Sequence, residues 1–521
     1  MVFSLSGAVI MKVMNYKAVV LSVLAGLLAA GGAQAGITKV GKVYSGAKPA
    51  DKPYQMVHVG SEVGNGMGNA VYVAFFATRT DDPGNTAPRL DQNNVLEPAP
   101  NTEEGFAYDI TGYPAFLRIP DGANDASQTQ VWAFPACAPY ALPTASERRI
   151  FLDRVEILEE FGPQPRPVNS ARPDWDASTW TAFLQPLHGM DYSASRGELV
   201  GGLTFLGKIL RWNLNVPGTM ANASGVCNPD SLAVGQITRS RLIKYSPDSG
   251  KVIAALRGNE EDINDANALL QLRKFSPDSV DGATNLLNPG VAPLIANATT
   301  GHAIYVTPHA TYTGGSGFRR ITLNNGTPDD VVDFSFATGS APTKPVSFLN
   351  MVVQENASGE PTRIYALNSR DWDPDELMTV PAAPDAATLA AYKSAFATAA
   401  SAFGAGLYIY DVSAYDPINE EYVLTKVTDI SAVQPVELVL DGNRLFFNDR
   451  IGQELVEVDV SLALPAKVGT LATECLSSNL IKGAGKTLYL TSIWSEQLYS
   501  VGATLSGAAC NAVEKYNYTS N

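Results

Sequence analysis

Several chemistries are excluded by what this chain does not contain. Four cysteines and four histidines are spread over 521 residues. No Cys-x-x-Cys pair occurs, which removes c-type haem attachment, zinc knuckles and thioredoxin-like redox chemistry. No Gly-x-Ser-x-Gly context is present, and Gly314-Gly315-Ser316-Gly317 reads as a hairpin turn rather than a nucleophile elbow. The glycine-rich run Gly64-Asn65-Gly66-Met67-Gly68-Asn69 precedes its strand, Ala70 to Phe76. A dinucleotide loop follows its strand and opens a helix, so a tight turn is the reading here. Beyond residue 35 no apolar run approaches ~18 residues, so no transmembrane segment is expected in the mature chain. Basic residues are also in deficit, 37 against 52 acidic. Net negative charge repels phosphate backbones and anionic lipid, so nucleic-acid binding is not expected.

What is present begins with a leader. Lys12 and Lys17 precede the apolar run Ala18 to Ala30, and Ala33-Gln34-Ala35 supplies small residues for a signal peptidase. Residues 1–35 therefore read as a signal peptide. The remaining chain carries 35 basic and 52 acidic side chains, near −17. No cysteine follows the apolar run to accept a lipid, so the expectation is an exported protein: periplasmic, secreted or held at the cell surface.

The stretch from Val436 to Val501 holds one unit written twice. Leu445-Phe446-Phe447 is answered 43 positions later by Leu488-Tyr489-Leu490, and Leu455 to Val458 by Leu498 to Val501. Each copy is an apolar strand, a polar turn and a second apolar strand. A period of ~40–45 residues is that of a β-propeller blade, and one blade buries its faces only by stacking on neighbours. The phrase Tyr245-Ser246-Pro247-Asp248-Ser249 returns in part as Phe275-Ser276-Pro277-Asp278-Ser279. The fold class expected is all-β, a propeller of about seven blades with long loop insertions. A short helical insertion is expected near 385–403, where Leu389, Tyr392, Phe396 and Phe403 share a helical face ended by Gly404. Gly162 to Pro167 is the one linker-like punctuation. It separates a loop-rich β region at 36–167, holding first blades plus elaboration, from propeller blades at 168–521.

Asp441-Gly442-Asn443-Arg444-Leu445-Phe446-Phe447-Asn448, followed by a turn and Leu455 to Val460, resembles the YVTN or surface-layer type of propeller repeat. The last copy departs from it, with Ser500-Val501-Gly502 where a closing Asp is expected. The resemblance implies a fold and brings no shared catalytic residues with it.

Cys475 and Cys510 bracket the last repeat, so their pairing would staple the terminal blade, and Cys137–Cys227 would follow; three pairings are open in all. Met56-x-His58 and His188-x-Met190 each place a thioether and an imidazole on one strand face, a donor set suited to copper(I). His302 and His309 flank Pro308, which lets a turn bring them together. Asp371, Asp373 and Asp375 alternate like a calcium loop, but Glu376 and Ala382 stand where an EF-hand needs Gly and Glu, leaving only an irregular calcium site. Two function classes remain. One is a binding or surface-interaction propeller, with calcium or copper as candidate bracing ions and a protein or small-molecule partner. The alternative is a propeller-type hydrolase or oxidoreductase with an axial site of scattered acids and histidines.

Overall fold

The computed structural model describes residues 36–45, 52–60, 68–76, 89–90, 96–97, 115–133, 187–203, 208–213, 230–233, 240–246, 251–256, 271–275, 284–285, 303–315, 317–322, 330–370, 372, 374–379, 386–492, 510 and 512–519. The strands are given below sheet by sheet. The first strand, β1 (Ile37–Ser45), stands apart from the sheet that follows it in sequence. That sheet is β2 (Lys52–Val59), β3 (Ala70–Phe76), β6 (Ala115–Pro120) and β7 (Gln130–Ala133), with a two-stranded ribbon of β4 (Arg89–Leu90) and β5 (Leu96–Glu97) inserted. The next holds β8 (Leu187–Ser193), β9 (Glu198–Leu203), β10 (Lys208–Asn213) and β11 (Asp230–Ala233). It is followed by β12 (Ser240–Ser246), β13 (Lys251–Leu256), β14 (Gln271–Phe275) and β15 (Thr284–Asn285).

An eight-stranded sheet comes next. One half is β16 (Ile304–Val306), β17 (Thr311–Gly314), β18 (Phe318–Thr322) and β19 (Asp330–Phe336). The other is β20 (Phe348–Glu355), β21 (Pro361–Asn368), β22 (Gly406–Val412) and β23 (Glu421–Ser431). Each half is an antiparallel meander, and the outermost strands β19 and β23 join them in parallel, Asp333 opposite Glu421 and Phe336 opposite Leu424. The helices α1 (Pro374–Leu377) and α2 (Ala386–Phe403) sit in the β21–β22 connection, so the helical insertion forms where its periodicity placed it. The chain ends with the sheet of β24 (Pro435–Asp441), β25 (Arg444–Asp449), β26 (Glu454–Asp459) and β27 (Ala466–Ala472), then with β28 (Ser477–Lys482), β29 (Thr487–Ser492) and β30 (Ala512–Tyr518).

The last sheet takes its fourth strand from the other end of the chain. β1 pairs antiparallel with β30, from Ile37 opposite Tyr518 to Ser45 opposite Ala512. The first strands of the units, β2, β8, β12, β16, β20, β24 and β28, lie side by side in that order, and β28 returns to pack against β2. The sheets therefore radiate from a closed ring of inner strands. This is a β-propeller, as the repeat implies.

Alternation explains how the sheets hold one another. On β25, Leu445 and Phe447 pack with Tyr365, Leu367, Leu407 and Ile409 of the preceding sheet. The intervening Phe446 turns the other way, to Leu480, Leu488, Leu490 and Tyr518 of the following sheet. Period-two side-chain direction thus turns a continuous apolar run into two cores, one per face. The pattern continues past the ring closure, where Tyr489 and Val513 pack with Met56, Val71, Val73 and Leu117.

The Asp441-Gly442 turn of the repeat also has a role between sheets. Gly442 adopts a positive φ of 60°, the left-handed region that favours glycine. Asp441 accepts from Lys482, from Lys486 Nζ at 2.7 Å and from Tyr518 Oη at 2.7 Å. Burial acts against the ionised form, but those three donors outweigh it and hold the carboxyl far below its ordinary range.

Candidate axial site

The inner strands are irregular where they enter the ring. β-Bulges interrupt the pairing between Leu187 and Met190, Phe348 and Asn350, Pro435 and Leu438, and Ser477 and Asn479. A bulge re-aims side chains and leaves a backbone N–H without its ladder partner. Side chains from the second strand fill that need. Glu437 N donates to Asn448 Oδ1 at 3.0 Å, and Asn479 N to Thr491 Oγ1 at 2.9 Å. Asn448 and Thr491 are 43 residues apart, so the brace belongs to the repeat. In the preceding unit Ser347 N donates to Asn368 Oδ1 at 2.7 Å.

Glu437, on β24, stands at the centre of what these bulges present. Its carboxylate accepts from the side-chain amide of Asn350 on β20 and from Asn479 Nδ2 on β28 at 3.3 Å. Asn479 Oδ1 in turn accepts Met56 N from β2 at 3.2 Å. Glu437 thus joins β20, β24 and β28, and Asn479 extends the link to β2. The residue as a whole keeps partial solvent contact, while its carboxyl is surrounded by protein. Burial raises its pKa from 4.5 to about 7, against the pull of Lys244, Asn479, Asn350 and Arg450. A second acid, Asp191 on β8, accepts Tyr245 N at 2.7 Å. Burial raises its pKa too, opposed chiefly by the same Lys244 of β12. One ammonium therefore acts on two enclosed carboxylates from different inner strands.

The loops above these residues are fixed in place. Asp449 accepts Val433 N, Gln434 N and Gly452 N at 2.7, 2.8 and 2.9 Å, which closes the turn leading into β24. Arg450 Nε donates to Ser477 O at 3.0 Å at the start of β28. Helix α2 packs over the same segments, Tyr392 and Phe396 clustering with Trp372, Ile451, Val433 and Leu476. The helix thus rests on the loops from which Glu437 and Asn479 are held. The arrangement can bind a polar molecule through a carboxylate, amides and a cation, or move a proton near neutrality.

The residues expected from sequence fare differently. β2 lies against β8 in the ring, so the strands bearing Met56-x-His58 and His188-x-Met190 are neighbours. Met56 and Met190 are buried, Met56 among Val71, Val73 and Leu117. His58 Nε2 is 3.0 Å from both carboxylate oxygens of Asp121. The His188 side chain lies outside the described residues, as do Asp371, Asp373, His302, Cys137 and Cys227. Asp375 falls in α1, with its side chain also outside them. His309 Nδ1 contacts Glu355 Oε2 at 2.9 Å, while Thr307 and Tyr312 donate to Oε1. Among the described residues no group of three His, Cys, Asp or Glu side chains could hold a metal ion. Cys475 and Cys510 are bonded, with their Cα atoms 5.5 Å apart.

Glu437, Asp191, Lys244, Asn350 and Asn479 were not singled out by sequence reasoning. One signal was available: Pro-Val-Glu-Leu-Val-Leu sets an acid inside an apolar strand of the clearest repeat.

No protein-family model matches the chain, and no curated protein does. Solved structures with similar shape include the nidogen/laminin complex (8% identity, TM-score 0.31, 56% of this chain and 81% of that one). A PQQ-bound aldose sugar dehydrogenase from Streptomyces coelicolor matches at 12% identity and TM-score 0.34, over 64% of this chain and 95% of that one. A protein from Lactobacillus plantarum matches at 10% identity and TM-score 0.37, over 59% and 78%. The propeller assignment rests on the sheets described above.

Proposed function

We propose that this chain is an exported β-propeller of seven blades that binds a small polar ligand at its axial mouth. The blade count reads the eight-stranded sheet as two units joined at their parallel outer seam. The observation that carries the proposal is the enclosed carboxylate of Glu437, held between the amides of Asn350 and Asn479 with Lys244 acting on it. Burying a carboxylate is unfavourable unless it is paired, and a ligand hydroxyl or ammonium would complete its hydrogen bonds. Export is supported by the closing strand, which starts at Ile37 directly after the expected leader, and by the Cys475–Cys510 bond, which suits an oxidising compartment. The repeat-level likeness to YVTN propellers belongs to this reading as well.

The test is a thermal-shift panel of neutral sugars, hydroxy acids, amino acids and amines. At least one class should raise the unfolding midpoint of the wild type and fail to do so in Glu437→Gln and Asn350→Ala. That shift should strengthen as pH rises through about 7, because ligation uses the ionised carboxylate. No shift from any class, or shifts that persist in both variants, would overturn the proposal.

A hydrolase or oxidoreductase is the second reading, favoured by a carboxyl poised near 7, where acid–base catalysis is most effective. Turnover of any panel compound that disappears in Glu437→Gln would move the assignment there. Copper at Met56, His58, His188 and Met190, and calcium at Asp371, Asp373 and Asp375, remain proposals of the same rank. The first is supported by the side-by-side placement of β2 and β8.

A further inference from the structure

We infer that the ring closes on a processed chain end: hydrolysis of the Ala35–Gly36 peptide bond leaves an α-ammonium on Gly36 that ion-pairs with the buried carboxylate of Glu457. Two independent observations meet at this bond. The first is Ala33-Gln34-Ala35, the small-residue pattern a signal peptidase cuts after. The second is the seat that Gly36 occupies. Its nitrogen lies 2.9 Å from Glu457 Oε2 on β26, and its carbonyl accepts Thr519 N at 2.9 Å. A Cβ at this position would lie 2.6 Å from Thr519 Oγ1, so any larger residue would require that hydroxyl to turn aside.

Charge around the seat is unbalanced. The Glu457 side chain is 3% exposed, and its other oxygen is 3.6 Å from Arg444 Nη1. That same guanidinium nitrogen is shared with Asp459 Oδ2 at 3.3 Å. Two carboxylates therefore share one arginine. An amide N–H offers Glu457 only a dipole, whereas a free chain end offers a full positive charge. In the cleavage, water gives its hydroxyl to the Ala35 carbonyl carbon and a proton to the Gly36 nitrogen. The amine then takes a further proton from solvent. Processing would thus supply the missing charge at the point where β1 joins β30.

The sign of the pH dependence follows from the pairing. A carboxylate partner raises the α-amino group above its unfolded value of ~7.7–8.0, so the stabilisation is complete below that value and is lost as pH rises through the folded one. Other titratable groups on β1 and the elements packed against it are Lys39, Lys42, Tyr44, Asp125, Arg444, Glu454, Asp459, Lys467, Glu474, Glu514, Lys515, Tyr516 and Tyr518. They are common to the two forms compared below and cancel between them.

The test uses the folded chain in two forms, one beginning at Gly36 and one retaining Ala35 as its first residue. Terminal sequencing of exported protein should read Gly36 first. At pH 7 the Gly36 form should unfold about 2–4 °C higher. That gap should vanish at pH 10.5 and in Glu457→Gln. Should that variant fail to fold, the pH comparison of the two wild-type forms decides. Export with a different first residue, equal midpoints at pH 7, or a gap that persists in Glu457→Gln would overturn the inference.

Discussion

Removing residues 36–45 is expected to abolish the single cooperative unfolding transition and to lower the urea midpoint by more than any point substitution. β1 is the fourth strand of the closing sheet and the only contribution of the chain start to that sheet among the described residues. It buries Ile37 in the core shared with β25 and β28, and Val43 in the core shared with β2 and β3. Each such side chain contributes about 1.5–3 kcal/mol. Lys39 Nζ, itself 30% exposed, also pairs at 2.8 Å with Glu514, whose side chain is 1% exposed, and a pair with one partly solvated partner contributes about 1 kcal/mol. Together these terms come to ~4–7 kcal/mol, a large share of the ~5–15 kcal/mol that stabilises a typical fold. The deletion also bares the edge of β30 to other chains. Urea unfolding followed by far-ultraviolet circular dichroism and by tryptophan fluorescence should then give transitions that no longer coincide. A synthetic 36–45 peptide should restore them. An unchanged midpoint would show that closure does not depend on this strand.

The second large effect is expected at the disulfide. Cys475 precedes β28 and Cys510 precedes β30, so the bond ties the first and third strands of the closing sheet across β29. The loop it closes spans 35 residues, for which the chain-entropy account gives about 3–4 kcal/mol. Cys475→Ser with Cys510→Ser should lower stability by that amount and make the closing sheet the first region to exchange its amide protons. The wild type under reducing conditions should match the double variant. A loss below ~1 kcal/mol in both would assign closure to β1 alone.

The architecture was legible because its signals are local and repeated. Leu445-Phe446-Phe447 and Leu488-Tyr489-Leu490 name a strand and its period, and α2 shows a helical stripe that no strand would. The Cys475–Cys510 pairing was legible for the same reason, since both residues flank one repeat. The origin of the fourth strand of the last sheet was not. Gly36 to Tyr54 is polar, with Gly and Pro, and reads as a lead-in arm; within it β1 buries only Ile37 and Val43. Its partner lies at the far end of the sequence. The axial residues were hidden for a related reason. Asp191, Lys244, Asn350, Glu437 and Asn479 come from five strands with no common spacing, and a bulge at a strand entrance changes which residue meets the axis. Histidine and methionine couplets attracted attention because their chemistry is distinctive, whereas a lone Glu in an apolar strand is not.

The enclosed carboxylate is the centre of the functional account, and it can be measured without knowing the ligand. Folding raises the Glu437 pKa above its unfolded value of 4.5, so the fold binds this proton more tightly than the unfolded chain does. Its contribution to stability is then complete below about 4.5 and declines as pH rises through about 7. The direct measurement is a pH titration of protein carrying 13C at the glutamate side-chain carboxyl carbons, followed by NMR and assigned with Glu437→Gln. One resonance should titrate near 7 in the wild type and be missing from the variant. A Glu437 resonance that titrates near 4.5, with its ordinary solvated neighbours, would contradict the account.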